Sequence, residues 1–277
     1  MEIFFGNKGM TTITRCLMVA AAFLTAEALA APQANRVGAF RPDSTVQPRP
    51  ETQADKSLDK AGFINLFSLV PAESAGRLGV TAAVGDDPRP ELSAYRSSFD
   101  RSEVEARPGY FSVPLKDNGV KVDFTAVDKV AAYRFTFPES KAGCHVVLDI
   151  SQPLDQFKGG EVRLRDSKSV EGFGVYQDQA GEETTLFFSF QFTEAIRRRG
   201  VWKNDALENK HFARLDQGAP MGFYVYFWDT HVGETILMKV GVSSTSIDDA
   251  RANVVQEFPG WDFKQLRRES EQAWTTR

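Results

Sequence analysis

The sequence has few of the side chains that bind metals or form disulfides. Its 277 residues include two cysteines and three histidines. Cys16 lies in an N-terminal segment that we predict to be removed, so Cys144 would remain as a single thiol that cannot form an internal disulfide. The histidines are far apart and form neither an HxH nor an HExxH pattern: His145, His211 and His231. We therefore expect no metal site and no cofactor.

Charge and motifs exclude further classes of protein. The formal net charge is -4, which gives no reason to expect a nucleic-acid partner. The chain has no Gly-x-Ser-x-Gly nucleophile motif, no phosphate-binding loop and no internal repeat. The basic run from Arg197 to Arg199 could attract an anion, but such a run is usually a solvated loop.

Long hydrophobic runs are also absent, apart from a short one near the N-terminus. Leu17 to Phe23 is apolar, and Ala28-Leu29-Ala30 is typical of a signal-peptidase site. We predict that residues 1–30 are a signal peptide, with Met10 as an alternative start. The protein would then be secreted or periplasmic, without a membrane span after cleavage.

The next segment, residues 31–57, lacks any hydrophobic period. It contains four prolines among mostly polar residues: Pro32, Pro42, Pro48 and Pro50. A segment with so little apolar surface cannot offset the entropy lost on ordering. We therefore predict a disordered linker here.

Strand patterns dominate the remaining chain. Apolar and polar residues alternate repeatedly from Tyr110 onward, and Asp117-Asn118-Gly119 predicts a hairpin turn. The 22 phenylalanines fit a β-rich core packed with aromatic rings. Because no helical period separates these strands, we predict an all-β fold, an antiparallel β-sandwich over residues 58–246.

The pattern changes to helical at the C-terminal end. Ser246 and Asp262 can each cap a helix, which predicts a short helical junction segment over residues 247–277. The second helix would carry a large apolar side, and little chain is left to cover it. We therefore predict that this side is a domain interface formed by Phe263, Leu266 and Trp274. It can fold back on the sandwich or contact another chain, and we favour the second.

Several short motifs are distributed over residues 60–277. They are Pro108-Gly109-Tyr110-Phe111, Tyr133-Arg134-Phe135, Val240-Gly241-Val242-Ser243, Ala250-Arg251-x-Asn253 and Glu257 to Phe263. Together they resemble the N-terminal domain of glycoside hydrolase family 92, a family of exo-acting α-mannosidases. The resemblance implies a sandwich of the galactose-mutarotase, or supersandwich, type, which a large (α/α)6 helical domain follows in that family.

The resemblance implies no catalytic residue in this chain. In the family, the acid, the base and the calcium ligands lie in the helical domain, which has no counterpart in this sequence. The family's Gly-rich segment ending in Pro-Phe-Gly, which helps to build the sugar pocket, is not matched before Gly62. We therefore expect a domain that is truncated at both ends and has no catalytic or metal-binding residue.

Adjacent carboxylates give no reason to change that expectation. Glycosidases normally place two carboxylates across the scissile bond. The sequence contains three pairs of nearby carboxylates, and each has a simpler interpretation. In the order given below, they lie in a polar segment before a strand, in a solvated turn and in the first turn of a helix. The pairs are Glu103 with Glu105, Glu182 with Glu183, and Asp248 with Asp249.

Aromatic residues give the best candidates for binding a carbohydrate. Tyr224, Tyr226 and Trp228 share one strand face, opposite Phe223, Val225 and Phe227, and Trp202 is a further candidate. One of the two faces must point to the core. The other either packs under a loop or helix, or lines a carbohydrate-binding or domain-contact surface.

Three functions fit the sequence. The first is an exported carbohydrate-binding or accessory domain that contacts a mannose-containing glycan. The second is an interaction module that docks on a separate helical glycosidase chain. The third is a truncated fragment without function.

Overall fold

Two large antiparallel β-sheets pack against each other in the computed structural model, and two helices lie on the outer face of one sheet. The structure describes residues 46–54, 61–71, 74–86, 88–89, 92–204, 206–215 and 218–275. The predicted antiparallel sandwich with a short helical extension is therefore confirmed. The predicted signal peptide lies outside the described residues.

The strands are numbered in chain order. They are β1 (Val46–Ala54), β2 (Ala61–Pro71), β3 (Arg77–Val84), β4 (Ser97–Asp100), β5 (Glu105–Arg107), β6 (Tyr110–Pro114), β7 (Lys121–Val127), β8 (Val130–Phe137), β9 (Cys144–Gln152), β10 (Phe157–Asp166), β11 (Ser169–Gln177), β12 (Glu183–Phe192), β13 (Arg198–Lys203), β14 (Ala206–Glu208), β15 (Phe212–Leu215), β16 (Met221–Phe227) and β17 (Glu234–Ser243).

The eight-stranded sheet has the order β1-β2-β3-β9-β16-β13-β14, with β4 also pairing with β2. The nine-stranded sheet has the order β15-β10-β11-β12-β17-β8-β7-β6-β5. The predicted alternation builds the core between them. On β12 every second residue from Leu186 to Phe192 is buried there, and on β9 every second residue from Cys144 to Ile150. Each such large side chain contributes roughly 1.5–3 kcal/mol by its burial.

Strand β1 lies inside the predicted disordered linker, so that prediction is wrong for residues 46–54. β1 pairs with β2 from Val46 to Ala54 and forms an edge of the eight-stranded sheet. Pro48 and Pro50 lack N–H donors, but residues two apart on a strand direct their N–H groups to the same side. An edge strand has one side without a partner, so it tolerates both prolines. Residues 31–45 and 55–57 lie outside the described chain.

Two helices follow β17: α1 (Ile247–Glu257) and α2 (Phe263–Thr275). The predicted caps form. The Ser246 Oγ accepts the Asp249 N–H at 3.0 Å, and the Asp262 carboxylate accepts the Gln265 N–H at 3.0 Å. Neither helix has the length and apolar character that crossing a membrane requires.

The predicted exposed interface on α2 is not observed for Phe263 and Leu266. They are only 4% and 0% exposed, and they pack against β6 and β8 of their own sheet. The cover comes from chain that precedes the helix: Tyr110, Val130 and Ala132 on distant strands, and Val254 and Phe258 from α1 and its end. Trp274 lies in α2, but its side chain is outside what the structure describes.

Candidate functional site

Helix α1 rests directly on β17. A Cβ on Gly241 would come within 2.1 Å of the Ala250 carbonyl oxygen, so only a glycine allows the helix this close. The Asn253 side-chain amide donates to the Val242 carbonyl at 2.8 Å. Ala250 and Val254, on the side of α1 that faces the sheet, are fully buried. The motifs around Gly241 and Ala250 therefore fix the start of the junction, by which we mean α1, α2 and their connection.

Arg251 ties α1 to the neighbouring strands. Its Nε and Nη2 both donate to one carboxylate oxygen of Glu171, at 3.2 and 2.7 Å. Glu171 on β11 is 2% exposed, and its other oxygen accepts from Arg163 on β10. A buried carboxylate needs such compensation, because losing one partner would leave a buried charge unpaired.

Two ionisable groups hold the end of α1. The Glu257 carboxylate accepts the Lys129 N–H at 2.9 Å, and burial raises the pKa of this carboxyl to about 7. The Lys239 ammonium donates to the Phe258 carbonyl at 2.8 Å and lies 4.0 Å from the Trp261 ring centroid. Burial lowers the pKa of Lys239 to about 8. Both groups lose hydration in the fold, so each favours its neutral form.

Helix α2 covers a polar network on β6, β7 and β8. The Tyr110 hydroxyl donates to the buried Asp123 carboxylate at 2.6 Å, and burial is the main reason that the pKa of Tyr110 rises to about 12. The Arg134 Nε donates to the same carboxylate at 2.9 Å. From α2, the Arg267 guanidinium lies 3.6 Å from the Tyr110 ring centroid.

The turn before β6 makes the last close contact with α2. Gly109 has a φ of 77°, and a Cβ there would lie 2.3 Å from the Ser270 Oγ. The Ser270 hydroxyl donates to the Ala126 carbonyl at 2.8 Å. Most of the motifs singled out in the sequence therefore meet at the junction. Their shared role is to hold two helices on the sheet.

The four predicted carbohydrate-binding aromatics do not form one open surface. Trp202 is 2% exposed and packs with Tyr95 and Val147, with Tyr224 half-buried beside them. Tyr226 is 7% exposed, and its hydroxyl donates to the Ala142 carbonyl at 2.9 Å. The 92–95 turn covers part of this face, which a single strand pattern cannot reveal.

Trp228 is the exposed member of the set, with 60% of its surface accessible. It begins the turn at 228–233, which we call the Trp228 turn. Thr230 holds this turn through backbone hydrogen bonds to Ser140 and a hydroxyl bond to the Pro138 carbonyl at 2.7 Å. The Arg197 guanidinium lies 5.0 Å from the Trp228 ring centroid. The turn therefore presents one exposed aromatic ring next to a cation.

The two carboxyls whose pKa values burial raises lie on different sides of the sandwich. The raised pKa values of Asp149 and Glu257, both due mainly to burial, make these two the best acid candidates. Asp149 lies on the outer side of the eight-stranded sheet, whereas Glu257 lies on the outer side of the nine-stranded sheet. The sandwich separates them by more than the ~5–10 Å that a catalytic pair spans.

The three pairs considered from sequence have local roles instead. Glu103 pairs with Lys116, and Asp248 pairs with Arg251 at 2.7 Å. Glu105 bonds to Arg107 and Arg267, whereas Glu182 and Glu183 are exposed. No three His, Cys, Asp or Glu side chains cluster as metal ligands among the described residues. The expected absence of a cofactor remains a prediction.

A small pocket at one end of the sandwich was not predicted. Its volume is about 90 Å³, and we call it the hydroxyl pocket. Residues far apart in the chain line it, which explains why no local motif marks them. They are Pro71, Ser74, Lys129, Thr185, Leu186, Val242, Ser243, Ser244 and Thr245.

Comparison with known structures places the fold. A family 92 α-mannosidase from Bacteroides thetaiotaomicron is similar over 86% of this chain, with a TM-score of 0.72 and 23% identity. An inverting mannosidase of the same family and organism is similar over 87%, with a TM-score of 0.71 and 18% identity. The chain spans only 35% and 32% of the length of these enzymes.

Two further comparisons concern the sequence itself. No curated protein matches the chain. The model of the glycosyl hydrolase family 92 N-terminal domain matches residues 32–243, which is most of the chain. This chain therefore belongs to glycosyl hydrolase family 92, and the matched part is the family's N-terminal domain.

Proposed function

We propose that this chain is the accessory β-domain of an exported α-mannosidase system and does not hydrolyse mannosides alone. The observation that carries the proposal is the junction, where the family's motifs fix α1 and α2 on the sheet. Such a fixed segment can set the position of a helical catalytic domain. Side-chain contacts join the junction to the sheet through Arg251, Lys239 and Arg267. The junction would therefore hold a following domain in a fixed orientation rather than act as a flexible linker.

Enzyme assays test the first part of this proposal. Purified residues 31–277 are incubated with a chromogenic α-mannoside and with α-1,2-linked mannobiose, with and without calcium. We expect no turnover, because the two carboxyls with raised pKa values, Asp149 and Glu257, lie on opposite sides of the sandwich, and closer carboxylates such as Glu171 and Asp248 are bound to a shared arginine. Turnover that survives removal of trace host mannosidase would overturn the proposal.

A mannose-containing glycan is the proposed ligand of the Trp228 turn. The exposed ring offers a flat apolar face to a sugar, and the Arg197 guanidinium beside it can donate to sugar hydroxyls. The test is retention on a mannose-rich glycan column. Trp228→Ala should weaken retention roughly tenfold, whereas Val232→Ala, at an 80% exposed residue of the same turn, should not change it. Equal retention of all three proteins would contradict this role.

Docking on a separate helical glycosidase chain is the second candidate. Val255 on α1 and Trp261 in the connection are 61% and 36% exposed, although Val254, Phe258, Phe263 and Leu266 of the junction are buried. We expect Val255→Glu to reduce co-purification with a helical domain of the family, because it places a charge in an apolar contact. Val232→Glu, far from the junction, is the control. Unchanged co-purification of the Val255 variant would exclude this surface.

Export is proposed from the N-terminal pattern. Expression of the full chain in a bacterial host, followed by N-terminal sequencing of the periplasmic protein, should give Ala31 as the first residue. Retention of the protein in the cytoplasm with its leader intact would contradict the proposal.

A further inference from the structure

We propose that the hydroxyl pocket is a binding subsite for the edge of one sugar ring at the end of a glycan. The inference rests on the proposed function, because it assumes that the domain contacts a mannose-containing glycan. It adds a second contact point that is independent of Trp228.

The lining has the two kinds of surface that a sugar ring requires. Four residues that carry hydroxyl groups line it, Thr185, Ser243, Ser244 and Thr245, together with the basic residue Lys129. Apolar side chains complete the wall: Pro71, Leu186 and Val242. A sugar has an apolar face of C–H groups and a rim of hydroxyls, so such a mixed lining can satisfy both.

The size of the pocket limits what it can hold. About 90 Å³ corresponds to roughly three water molecules at their share of liquid volume. A whole oligosaccharide does not fit in this space, whereas the hydroxyl-bearing edge of one ring does. The pocket therefore selects a chain end or a single exposed sugar edge.

Two lining residues are held in place by their own hydrogen bonds. The Lys129 N–H donates to Glu257 at 2.9 Å, and its carbonyl accepts the Val242 N–H at 3.2 Å. The Ser243 Oγ accepts the Thr245 N–H at 2.9 Å, so its own proton remains able to point at a ligand. The Ser243 hydroxyl and the backbone of Lys129 are therefore held in place before any ligand arrives, which lowers the entropic loss on binding.

Aromatic rings continue the site onto the sheet. Phe187 pairs across from Ser243, and Thr185 lies two residues away on the same strand face. Phe173 is the β11 partner of Phe187, and the two ring centroids are 5.9 Å apart. Both rings are half-buried, and their exposed parts give an apolar surface near Ser243 against which a second sugar unit can pack.

The pocket is separate from the Trp228 turn. The turn lies before the first residue of β17, whereas Ser243 is the last residue of β17. A strand of ten residues spans roughly 30 Å. A monosaccharide bound at one place cannot touch the other. This separation allows the two sites to be tested one at a time.

The experiment is a titration of the ¹⁵N-labelled mature chain with methyl α-D-mannopyranoside, followed by α-1,2-linked mannobiose. We expect the amide signals of Lys129, Thr185, Ser244 and Thr245 to shift with a common affinity. Thr185→Val removes one hydroxyl at similar shape and should weaken this binding threefold to tenfold, the range for about one hydrogen bond. Thr136→Val, on β8 and outside the pocket lining, is the matched control.

Three results would count against the subsite. Shifts confined to residues 197 and 228–232 would overturn the subsite but leave the Trp228 proposal intact. Pocket shifts with unchanged affinity in Thr185→Val would also overturn it, once circular dichroism shows that the variant is folded. An absence of shifts throughout the chain would overturn glycan binding at both places, whereas the proposed role of the junction would stand.

Discussion

At the scale of single residues, Glu257 makes the junction sensitive to pH. Its pKa is about 7 in the fold, above the ordinary value of 4.5. Between these values the folded chain binds a proton more tightly than the unfolded chain does. The contribution of the protonated Glu257 carboxyl to the free energy of unfolding is therefore fully present below pH 4.5. It is lost as the pH rises through 7.

We expect Glu257→Gln to be more stable than the parent at pH 8 by about 1–2 kcal/mol, a value reduced for partial solvent screening. The amide oxygen can still accept the Lys129 N–H, and no charge is buried. At pH 4.5 the two proteins should have similar stability. Urea unfolding at both pH values measures this difference. Glu269→Gln, at an exposed site on α2, is the control, and a pH-independent difference would contradict the assignment.

Cys144 should be chemically silent in the folded protein. It is fully buried in the core, and burial raises the pKa of its thiol to about 12. The thiolate is the reactive form, so almost none is present at neutral pH. We expect Ellman's reagent to label the mature chain only after unfolding in urea. Rapid labelling in native buffer would show that the core opens locally at β9.

At the scale of elements, α2 should stabilise the sandwich rather than seek another chain. Leu266 is fully buried against β6 and β8. Leu266→Ala should reduce the free energy of unfolding by roughly 2–5 kcal/mol, as large-to-small core changes do. Gln265→Ala, at the exposed neighbour, should change it by less than about 0.5 kcal/mol. Urea titration of the three proteins measures these differences.

The same element predicts that the mature chain is a monomer in sedimentation. With Phe263 and Leu266 covered, α2 offers no large apolar surface from these two side chains. A parent that already dimerises through α2, with Leu266→Ala shifting it to monomer, would contradict the packing described above.

The sequence predicted strands well where apolar and polar residues alternate without interruption. It predicted helix starts well where the capping residue lies next to the helix. Leu186 to Phe192 alternate cleanly, and Ser246 and Asp262 cap the helices as expected. It failed for β1, because Pro48 and Pro50 disfavour a strand unless the strand lies at an edge. Edge position depends on the whole sheet order, which local periodicity does not contain.

Residues that meet across the fold were harder to predict. Trp202 was a candidate for binding, but Tyr95 and Val147 cover it. Phe263 was expected to lack cover, although Tyr110 and Val130 supply it from earlier strands. The hydroxyl pocket draws Lys129, Thr185 and Ser243 from three separate segments. Each of these outcomes depends on tertiary contacts rather than on spacing along the chain.

At the scale of the whole molecule, the two sheets should unfold together. They share one core cluster, in which β3, β9 and β16 of one sheet meet β7, β12 and β17 of the other. We expect far-ultraviolet circular dichroism and tryptophan fluorescence to give coincident urea transitions. Fluorescence reports on all four tryptophans, including Trp202 outside one sheet and Trp261 at the junction. Two separate transitions, or no cooperative transition, would favour the interpretation of the chain as a fragment without function.

The long-range bonds of the junction also fix an order of events during synthesis. Glu257 bonds 128 residues back to Lys129, and Ser270 bonds 144 residues back to Ala126. Arg267 reaches 162 residues back to Glu105. Such contacts close late, because the intervening chain must first be placed. We therefore expect the helices to dock after the strands that receive them have paired, so that their docking reports on a completed sandwich.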